Sequence, residues 1–581
     1  MKKESLRYLD WGLSVLVGIG AFLFWYIGYP HALSFQEQYQ MFLLDGDYWC
    51  RKLSVPDGFA SYVGEYLTQF YVNPMLGALV LVVVYLLIQQ LVWRLMKTIN
   101  GQADTYYPLS FVPVLALWLT QGDENVLLAF PVALILTLAM MWLYEKAGKL
   151  RFYLIIIMIP LLYWLAGPVV LMFAAWVLLR QVQTSASKWT GLGIGILALV
   201  YALGCILVSS RIVPYPLYRL FYGLDYYRSV EVYSWLLPAT MALCVIVPLL
   251  ACWLPAVSKR RLLVSLGEAL VLLVAFLMLR SVCYESRKYE VMEYDYLVRC
   301  QDWNAIIAKA EKKTPDLPMT VCATNLALGM KGQLGERLFD FYQNGRQGLV
   351  PPFTRNFSSI LLTGEVYWQM GLVNTAQRFA FESMEAIPNY TKSSRAVKRL
   401  AETNLVNGEY EVARKYLRLL EKTLGYRQWA QRTMPLLGNE KAINEHPVYG
   451  RMRQLRLQND IMFNEDEIDH ILGQLMMQNQ GNGLALQYLL AIPLLDRDIN
   501  RFMNYMMYVD KLHLGYCPRS CQEAIAFAFA QRNQLPPQGT VNEMVRRNFG
   551  EFSKAFAQGG KDAPQMTLFR NTAWYYLVCG R

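Results

Sequence analysis

Long, almost uncharged apolar runs fill the first half of the chain and are missing from the second half. The runs in residues 1–280 approach the roughly 20 residues that an α-helix needs to cross a bilayer, whereas residues 281–581 carry charges every few positions. Only 17% of the 581 residues are charged, against about 25% in an ordinary soluble protein. The pattern predicts a membrane domain over 1–280, followed by a domain in water over 281–581.

Nine apolar segments of the membrane domain are interpreted as spans. The first, Trp11 to Tyr29, follows a basic N-terminus and lacks a small-residue cleavage site, so a retained span is expected and not a signal peptide. Two short segments, 152–166 and 168–179, meet at Gly167-Pro168; a tight helical hairpin is expected there, with one broken element as the alternative. The remaining segments are 74–93, 107–120, 126–144, 191–209, 233–254 and 262–279.

The basic residues predict which way the spans face, because Lys and Arg are enriched in the cytoplasmic loops of membrane proteins. With the N-terminus in the cytoplasm, thirteen Lys and Arg residues lie in the inner segments and five in the short outer segments. The inner residues are Lys2, Lys3, Arg7, Arg94, Lys97, Lys146, Lys149, Arg151, Arg180, Lys188, Lys259, Arg260 and Arg261; the outer residues are Arg51, Lys52, Arg211, Arg219 and Arg228. An odd number of spans then places residues 281–581 outside the cytoplasm. In a bacterium this predicts an inner-membrane protein with a periplasmic domain.

Composition and motifs exclude several classes of protein. Membrane topology accounts for many of the basic residues behind the net charge of +11, so nucleic-acid binding is not expected. The ten cysteines include no C-x-x-C pair, and none of the four histidines stands in an H-E-x-x-H motif. A disulfide scaffold, a structural zinc site and zinc-hydrolase chemistry are therefore not expected.

Two outer loops are rich in aromatic residues. In the first loop, 30–73, the aromatic residues of Gly58 to Tyr71 recur at helical spacing and predict a helix along the membrane interface, with its aromatic face towards lipid. The second loop, 210–232, places Tyr beside Arg, which suits a ligand containing phosphate and sugar; an interfacial aromatic belt explains the Tyr residues equally well. The candidate ligand-binding residues of the second loop are Arg211, Arg219, Tyr222 and Arg228.

Acidic residues stand at two places on the predicted outer face. Glu37, Asp45 and Asp47 follow the first span, and Asp123 and Glu124 occupy the five-residue turn between spans three and four. Because so short a turn holds both carboxylates at the ends of two spans, an acid just past span one could face the same cavity and complete a site for Mg²⁺ or Mn²⁺. Such a metal would stabilise a phosphate leaving group while another carboxylate takes the acceptor proton. An ordinary polar loop is the alternative for each group.

This arrangement resembles the GT-C superfamily of polyprenyl-phosphate-sugar-dependent glycosyltransferases and oligosaccharyltransferases. The likeness covers residues 1–280: a long first outer loop with an interfacial helix, an acid after span one and a short acidic turn after span three, with a soluble domain following. The segment Phe35-Gln36-Glu37-Gln38-Tyr39 is similar to the Asp-Glu-containing segment after the first span of that superfamily, with Gln36 where an Asp is usual.

The resemblance implies a role for each candidate residue. Glu37, or Asp45 and Asp47, would act as the acceptor base; Asp123 and Glu124 would hold the metal; and Arg211 or Arg219 would bind phosphate. The donor would be a glycan linked to a polyprenyl phosphate within the membrane lipid. The missing Asp at Gln36 leaves open a non-catalytic relative.

Residues 281–581 predict an α-solenoid similar to a tetratricopeptide array. Gly371 is followed by a small residue at +5 and an aromatic at +8, and Gly408, 37 positions later, repeats this spacing; Gly332 begins a related unit. Solenoids bind extended partners on their concave surfaces, so a polypeptide acceptor or a partner protein is expected here.

Two functions follow from the sequence. The first is a GT-C-type transferase that glycosylates an acceptor, with a protein as one candidate, on the outer face of the inner membrane. The alternative is a non-enzymatic scaffold, in which the spans anchor helical repeats that organise a protein complex of the cell envelope. Both share one fold class: an all-α chain with a membrane domain of about nine spans and a solenoid.

Overall fold

The computed structural model describes residues 2–101, 103–228, 233–255, 261–354, 357–387, 391–459 and 463–580. All regular elements of these residues are helical, and the one β-bridge joins Val126 to Tyr227. The predicted all-α fold class is therefore confirmed for the described part of the chain. Two parts of the sequence predictions lie outside the described residues. They are Lys259 and Arg260, which were assigned to the inner side, and positions 229–232 of the second outer loop.

The chain forms two compact units. The first comprises Met1–Tyr289 together with Ile387–Ser394 and Glu421–Gln428; the second comprises Glu290–Ala386, Arg395–Leu420 and Trp429–Arg581. The helices up to the end of the apolar half are α1 Lys2–Leu23, α2 Pro30–Glu37, α3 Gly46–Leu53, α4 Gly58–Thr68, α5 Pro74–Ile99, α6 Val112–Thr120, α7 Ala129–Lys146, α8 Arg151–Ala166, α9 Val170–Thr184, α10 Lys188–Ser209, α11 Leu217–Tyr222, α12 Leu236–Leu250 and α13 Arg261–Cys283.

Six helical stretches among the described residues are long and apolar enough to cross a membrane. They are Tyr8–Gly28, Pro74–Ile99, Ala129–Lys146, Arg151–Thr184, Lys188–Ser209 and Leu262–Cys283, and two shorter apolar stretches, Thr105–Thr120 and Leu236–Leu250, lie between them. The described residues thus include six candidate membrane helices, and the predicted number of nine remains a prediction.

The stretch Arg151–Thr184 is a hairpin, as Gly167-Pro168 predicts. Tyr201 of α10 donates to the carbonyl of Ile156 in α8, and Tyr163 bonds to Ser209 near the ends of the same two helices, so α8 and α10 run in parallel. In contrast, Gly191 and Gly195 of α10 pack against Gln181 and Leu178 of α9, which makes α9 antiparallel to α10. The chain therefore reverses between α8 and α9, where Gly167 takes a φ of +58° that favours glycine.

The helices of the first unit meet in turns at two ends. At one end, here called the loop end, the turn after α6 contacts the loop after α11, since the amide of Leu127 donates to the carbonyl of Tyr226 (2.9 Å). The last turn of α8 also lies at the loop end. Its Trp164 donates to the carbonyl of Leu53, so the loop after α1 lies at the loop end as well. At the opposite end, Asn100 after α5 donates to the carbonyl of Ala251 after α12 (2.7 Å).

A buried ion pair joins three helices at the opposite end. Glu145 of α7 is 6% exposed and accepts from Arg180 of α9 (3.0 Å) and from Arg151 of α8 (3.3 Å). Trp176 of α9 also donates to this carboxylate (3.1 Å). Because a buried carboxylate is costly unless its oxygens are paired, these donors fix the three helices relative to one another.

Helix α4 lies across the start of α7 through its small residues. Ala60, Ser61 and Gly64 are buried, and a Cβ at Gly64 would lie 2.5 Å from the backbone nitrogen of Ala129. Its aromatic residues form the other face, where Tyr62 packs edge-on against Trp49 of α3 at 4.5 Å between ring centroids. The helix predicted over this region is therefore present, and the face that meets the bundle is the small-residue face.

The remaining helices continue to the C-terminus. They are α14 Ser286–Arg299, α15 Trp303–Lys312, α16 Pro318–Met330, α17 Leu334–Arg337, α18 Phe357–Met370, α19 Val373–Glu385, α20 Ser394–Asn407, α21 Tyr410–Glu421, α22 Arg427–Thr433, α23 Glu440–Glu445, α24 Tyr449–Leu455, α25 Ile468–Gln478, α26 Gly483–Leu495, α27 Ile499–Lys511, α28 Arg519–Gln531, α29 Glu543–Gly559 and α30 Ala573–Cys579. The repeat glycines Gly332, Gly371 and Gly408 all have positive φ values in turns between consecutive helices.

The contact between α9 and α10 generates a stability prediction. A Cβ at Gly195 would lie 2.5 Å from the Cα of Leu178, whereas a Cβ at Gly193 would have no heavy atom within 4 Å. Gly195→Ala should therefore destabilise the protein by about 1–3 kcal/mol through overpacking, and Gly193→Ala should be neutral or slightly stabilising, by up to about 1 kcal/mol. Thermal unfolding of both variants in detergent checks this; equal melting temperatures would contradict the packing described.

Candidate functional site

The loop end contains a polar cluster built from three separate loops, here called the turn cluster. Its residues are Gln36, Tyr39, Asp123, Glu124, Tyr227 and Arg228. The amide of Arg228 donates to the carbonyl of Asn125 (2.8 Å), and Gln36 reaches the carbonyl of Val126 (3.5 Å). The segment after α1, the acidic turn and the second outer loop therefore converge, as the sequence analysis required of a shared site.

Arg228 is the central cation of the turn cluster. Its side chain is only 7% exposed, and its guanidinium carbon lies 3.3 Å from the ring centroid of Tyr39. Burial lowers the pKa of Arg228, while Tyr39, Glu124 and Asp123 act in the opposite direction. Its buried Nη2 has no hydrogen-bond partner among the described residues, so this guanidinium retains a donor for a further group.

The two carboxylates of the acidic turn are already hydrogen-bonded. Asp123 accepts from the hydroxyl of Tyr227 (2.6 Å) and from the amide of Asn125 (3.0 Å). Glu124 pairs with Lys288 at 3.4 Å, and nearly half of the Lys288 side chain is exposed. The turn cluster thus has a buried side at Arg228 and a side open to water at Lys288.

The carboxylates predicted to bind a metal lie close to hydrogen-bond donors and cations. Both oxygens of Asp123 accept hydrogen bonds from neighbouring groups, and the positive charges of Lys288 and Arg228 lie beside the turn. Among the described residues, no group of three or more His, Cys, Asp or Glu side chains is arranged to hold a metal ion. The predicted Mg²⁺ or Mn²⁺ stays a prediction.

The other predicted acids occupy different environments. Glu37 ends α2 and is fully buried, directly after Gln36. Asp45 pairs with Lys422 (2.7 Å), and this hydrogen bond lowers the pKa of Asp45. Asp47 is exposed in the first turn of α3. Only Glu37 therefore lies in the segment that joins the turn cluster.

The predicted ligand-binding residues of the second loop are also divided. Arg211 is exposed just after α10, and Arg219 is buried and donates to the carbonyl of Leu224 (3.0 Å). Tyr222 stacks on Tyr233 at 4.4 Å between ring centroids. Because Tyr233 also contacts Tyr227, Tyr222 connects to the turn cluster through aromatic rings.

A second polar cluster of the loop end, here called the lysine cluster, is ionic and largely buried. Its residues are Tyr48, Lys52, Asp57, Glu65, Arg219 and Asp225. Lys52 of α3 bridges two carboxylates, Glu65 at 2.7 Å and Asp225 at 2.9 Å. The Tyr48 hydroxyl donates to the same Glu65. Asp57 accepts from the amide of Leu224 (2.6 Å). These bonds attach the first outer loop to the second.

The carboxylates of the lysine cluster have divergent proton affinities. Burial, followed by repulsion from Asp225, raises the pKa of Asp57 to about 8. Burial also raises the pKa of Glu65 despite Lys52. For Asp225 burial acts upward, but the charge and hydrogen bond of Lys52, together with Ser61 and Arg219, lower the pKa below its ordinary value.

Lys52, Asp57, Glu65 and Asp225 were not predicted from the sequence as a group. The first three are spread along the first outer loop, and Lys52 and Asp225 are 173 positions apart. A signal did exist for Glu65, because it falls on the small-residue face of α4 and not among its exposed positions. A charge on the face that a helix buries requires a partner.

Comparison with known families places the chain in one of them. The model of the family described as "Family of unknown function (DUF6057)" matches residues 6–580. The chain belongs to this family. No curated protein and no solved structure is significantly similar to it. Membership in the DUF6057 family thus extends over both compact units.

The lysine cluster generates a second stability prediction. Lys52→Met leaves Glu65 and Asp225 buried without their shared cation, which should cost about 3–5 kcal/mol at neutral pH. The cost should shrink in acid, where the carboxylates take up protons. Lys441→Met is the control, because Lys441 is 85% exposed and only 4.0 Å from its partner Glu445; a change below about 0.5 kcal/mol is expected there. Thermal unfolding at two pH values measures both, and similar losses would refute the assignment.

Proposed function

We propose that the chain is a membrane glycosyltransferase of the GT-C type, which transfers a sugar or an oligosaccharide from a polyprenyl-phosphate carrier to an acceptor at the loop end. The observation that carries this proposal is the convergence at Arg228. There, the segment after α1, the acidic turn and the second outer loop bring an under-coordinated guanidinium next to two carboxylates.

The proposed reaction uses these groups in two ways. The acceptor oxygen attacks the anomeric carbon of the donor, the bond from that carbon to the phosphate oxygen breaks, and the phosphate remains on the lipid. Arg228 and Lys288 stabilise the negative charge that develops on the phosphate. Asp123, or Glu37 of the segment after α1, accepts the proton of the acceptor. Tyr39 and Tyr222 offer ring faces beside these groups.

The proposed topology has nine spans, with the loop end outside the cytoplasm and the protein in the inner membrane of a bacterium. Alternation of the helices between the two ends supports it. So do Lys97, Lys146 and Lys188, which end or begin helices at the opposite end, where basic residues indicate the cytoplasm.

The C-terminal half is proposed to be a tetratricopeptide-like solenoid on the outer side, where it presents the acceptor. Within the first unit, the first outer loop contacts chain segments from this half: the amides of Met41 and Leu44 donate to the carbonyls of Lys392 (3.0 Å) and Lys422 (2.8 Å). Segments that bond to each other through their backbones lie on the same side of a membrane. A polypeptide acceptor suits repeats of this kind.

The catalytic proposal predicts the phenotype of a double variant. Glu37→Gln with Asp123→Asn removes both candidate bases and keeps the side-chain volumes, so glycan transfer should fall by about 100-fold or more while the protein remains folded in the membrane. A deletion strain complemented with each variant, with mass spectrometry of envelope glycans and lipid-linked donors, measures this. Glu411→Gln, at an exposed carboxylate, should restore transfer fully.

Two outcomes would contradict the enzyme. Envelope glycans that are identical in the wild-type and deletion strains would eliminate it, and so would full complementation by the double variant. The first outcome would leave the scaffold as the hypothesis for the chain.

The topology predicts a labelling pattern. In a cysteine-free variant, cysteines at Asp47→Cys and Glu411→Cys should react with a membrane-impermeant maleimide in intact cells with a permeabilised outer membrane. A cysteine at Lys188→Cys should react only after lysis, because it lies at the opposite end. Reaction of the Glu411→Cys protein only after lysis would refute both the topology and the proposed transfer.

A further inference from the structure

The segment Leu224–Arg228 is attached at both of its ends. At its start, the Leu224 amide donates to Asp57 (2.6 Å) and Asp225 binds Lys52 (2.9 Å). At its end, Tyr227 donates to Asp123 and the amide of Arg228 bonds to Asn125. The segment Leu224–Arg228 therefore connects the two clusters. The lysine cluster binds its start, and its last residue, Arg228, belongs to the turn cluster.

Charges in the lysine cluster do not balance when every group is ionised. Among the residues that the structure describes, three carboxylates of this cluster, Asp57, Glu65 and Asp225, interact with two cations, Lys52 and Arg219. Asp57 and Glu65 are 1% and 2% exposed. Because an uncompensated charge is expensive in such surroundings, the cluster is most stable when it holds one extra proton.

Asp57 is the carboxylate best placed to hold that proton. Glu65 and Asp225 each contact Lys52 directly, whereas the hydrogen bonds described for Asp57 come from neutral groups, the Leu224 amide and the Ser61 hydroxyl (3.4 Å). Burial and the neighbouring Asp225 raise the pKa of Asp57. The titratable or charged groups that interact with it are Lys52 from α3, Tyr163 from α8, and Tyr215, Asp225 and Tyr226 from the second loop.

The backbone at Asp57 is also strained. Its φ of +60° lies in the left-handed region, which residues other than glycine rarely adopt. Directly across from it, a Cβ at Gly167 would lie 2.8 Å from the Cβ of Asp57. Such strain persists only while surrounding contacts hold the residue, so loss of the bond to Leu224 would favour release.

We propose that Asp57 is a proton-binding site that controls a clasp between the two outer loops. With a proton on Asp57, the cluster has no excess negative charge, and Leu224 and the segment up to Arg228 stay in place. Without the proton, repulsion among the buried carboxylates opens the clasp, and Tyr227 and Arg228 leave the turn cluster. The ligand of this site is thus a proton. Binding of the proton to Asp57 controls whether Arg228 lies in the turn cluster.

The sign and range of the pH dependence follow from linkage. In the opened loop Asp57 is exposed to water, with a pKa near its ordinary value of 3.8, and in the closed clasp the pKa is about 8. Between these values the closed form binds one proton more than the open form. Opening should therefore become about tenfold more favourable for each pH unit from about 4 to about 8, and level off above about 8.

Hydrogen exchange of the full chain in detergent, followed by mass spectrometry, tests the clasp. After correction for the intrinsic pH dependence of exchange, the protection of the Leu224–Arg228 amides should fall about tenfold for each pH unit from about 4 to about 8. Above about pH 8 the protection should be constant, and this constant level is called the plateau. Asp57→Asn carries no titratable proton, so its protection should be high and independent of pH. Glu411→Gln should behave as the wild type. Uniform protection of the wild type from pH 5 to 9, or an unchanged slope in Asp57→Asn, would overturn the proposal.

A second variant keeps the test valid if Asp57→Asn does not fold. Glu65→Gln removes one negative charge from the cluster, so Asp57 should ionise more readily and the plateau should begin at a lower pH than in the wild type. A plateau at the same or a higher pH would overturn the proposal. The exchange readout does not require sugar transfer, so it judges the clasp separately from the proposed function.

Discussion

The loop end depends on one constraint: five residues, Leu224–Arg228, must satisfy their backbone groups while charged side chains are buried on both sides of them. Asp57 and Asn125 accept backbone amides from the start and the end of the segment, and the hydroxyl of Tyr226 bonds to the carbonyl of Ala166 between them. Since buried amides and carbonyls without partners are costly, this segment fixes the relative positions of the loops on which both polar clusters are built.

The helical elements could be predicted from the sequence because their causes are local. A long apolar run specifies a membrane helix through its own composition, and Gly167-Pro168 marks the reversal between α8 and α9 through backbone geometry. The same holds for Gly371 and Gly408, whose positive φ values end one helix and allow the next to begin. Such features depend on neighbouring residues, which a single sequence displays directly.

One part of the candidate site could be predicted from the sequence in the same way, and another part could not be predicted. The short acidic turn restricts Asp123 to the end of two helices, so its meeting with the segment after α1 was predictable. Asp45 was a candidate for the same site, yet it pairs with Lys422, 377 positions away. One of the two carboxylate partners of Lys52, Asp225, is 173 positions away. Charge pairing of this kind depends on the tertiary fold, and nothing in the spacing of the residues indicates it.

The ion pair of Glu145 with Arg180 and Arg151 has a mechanical consequence for the whole first unit. It joins α7, α8 and α9 where they meet at the opposite end, and separating these helices there would leave the carboxylate of Glu145 without its cations. Parting α7 from α8 or α9 at this end therefore carries an electrostatic cost in addition to the loss of apolar packing.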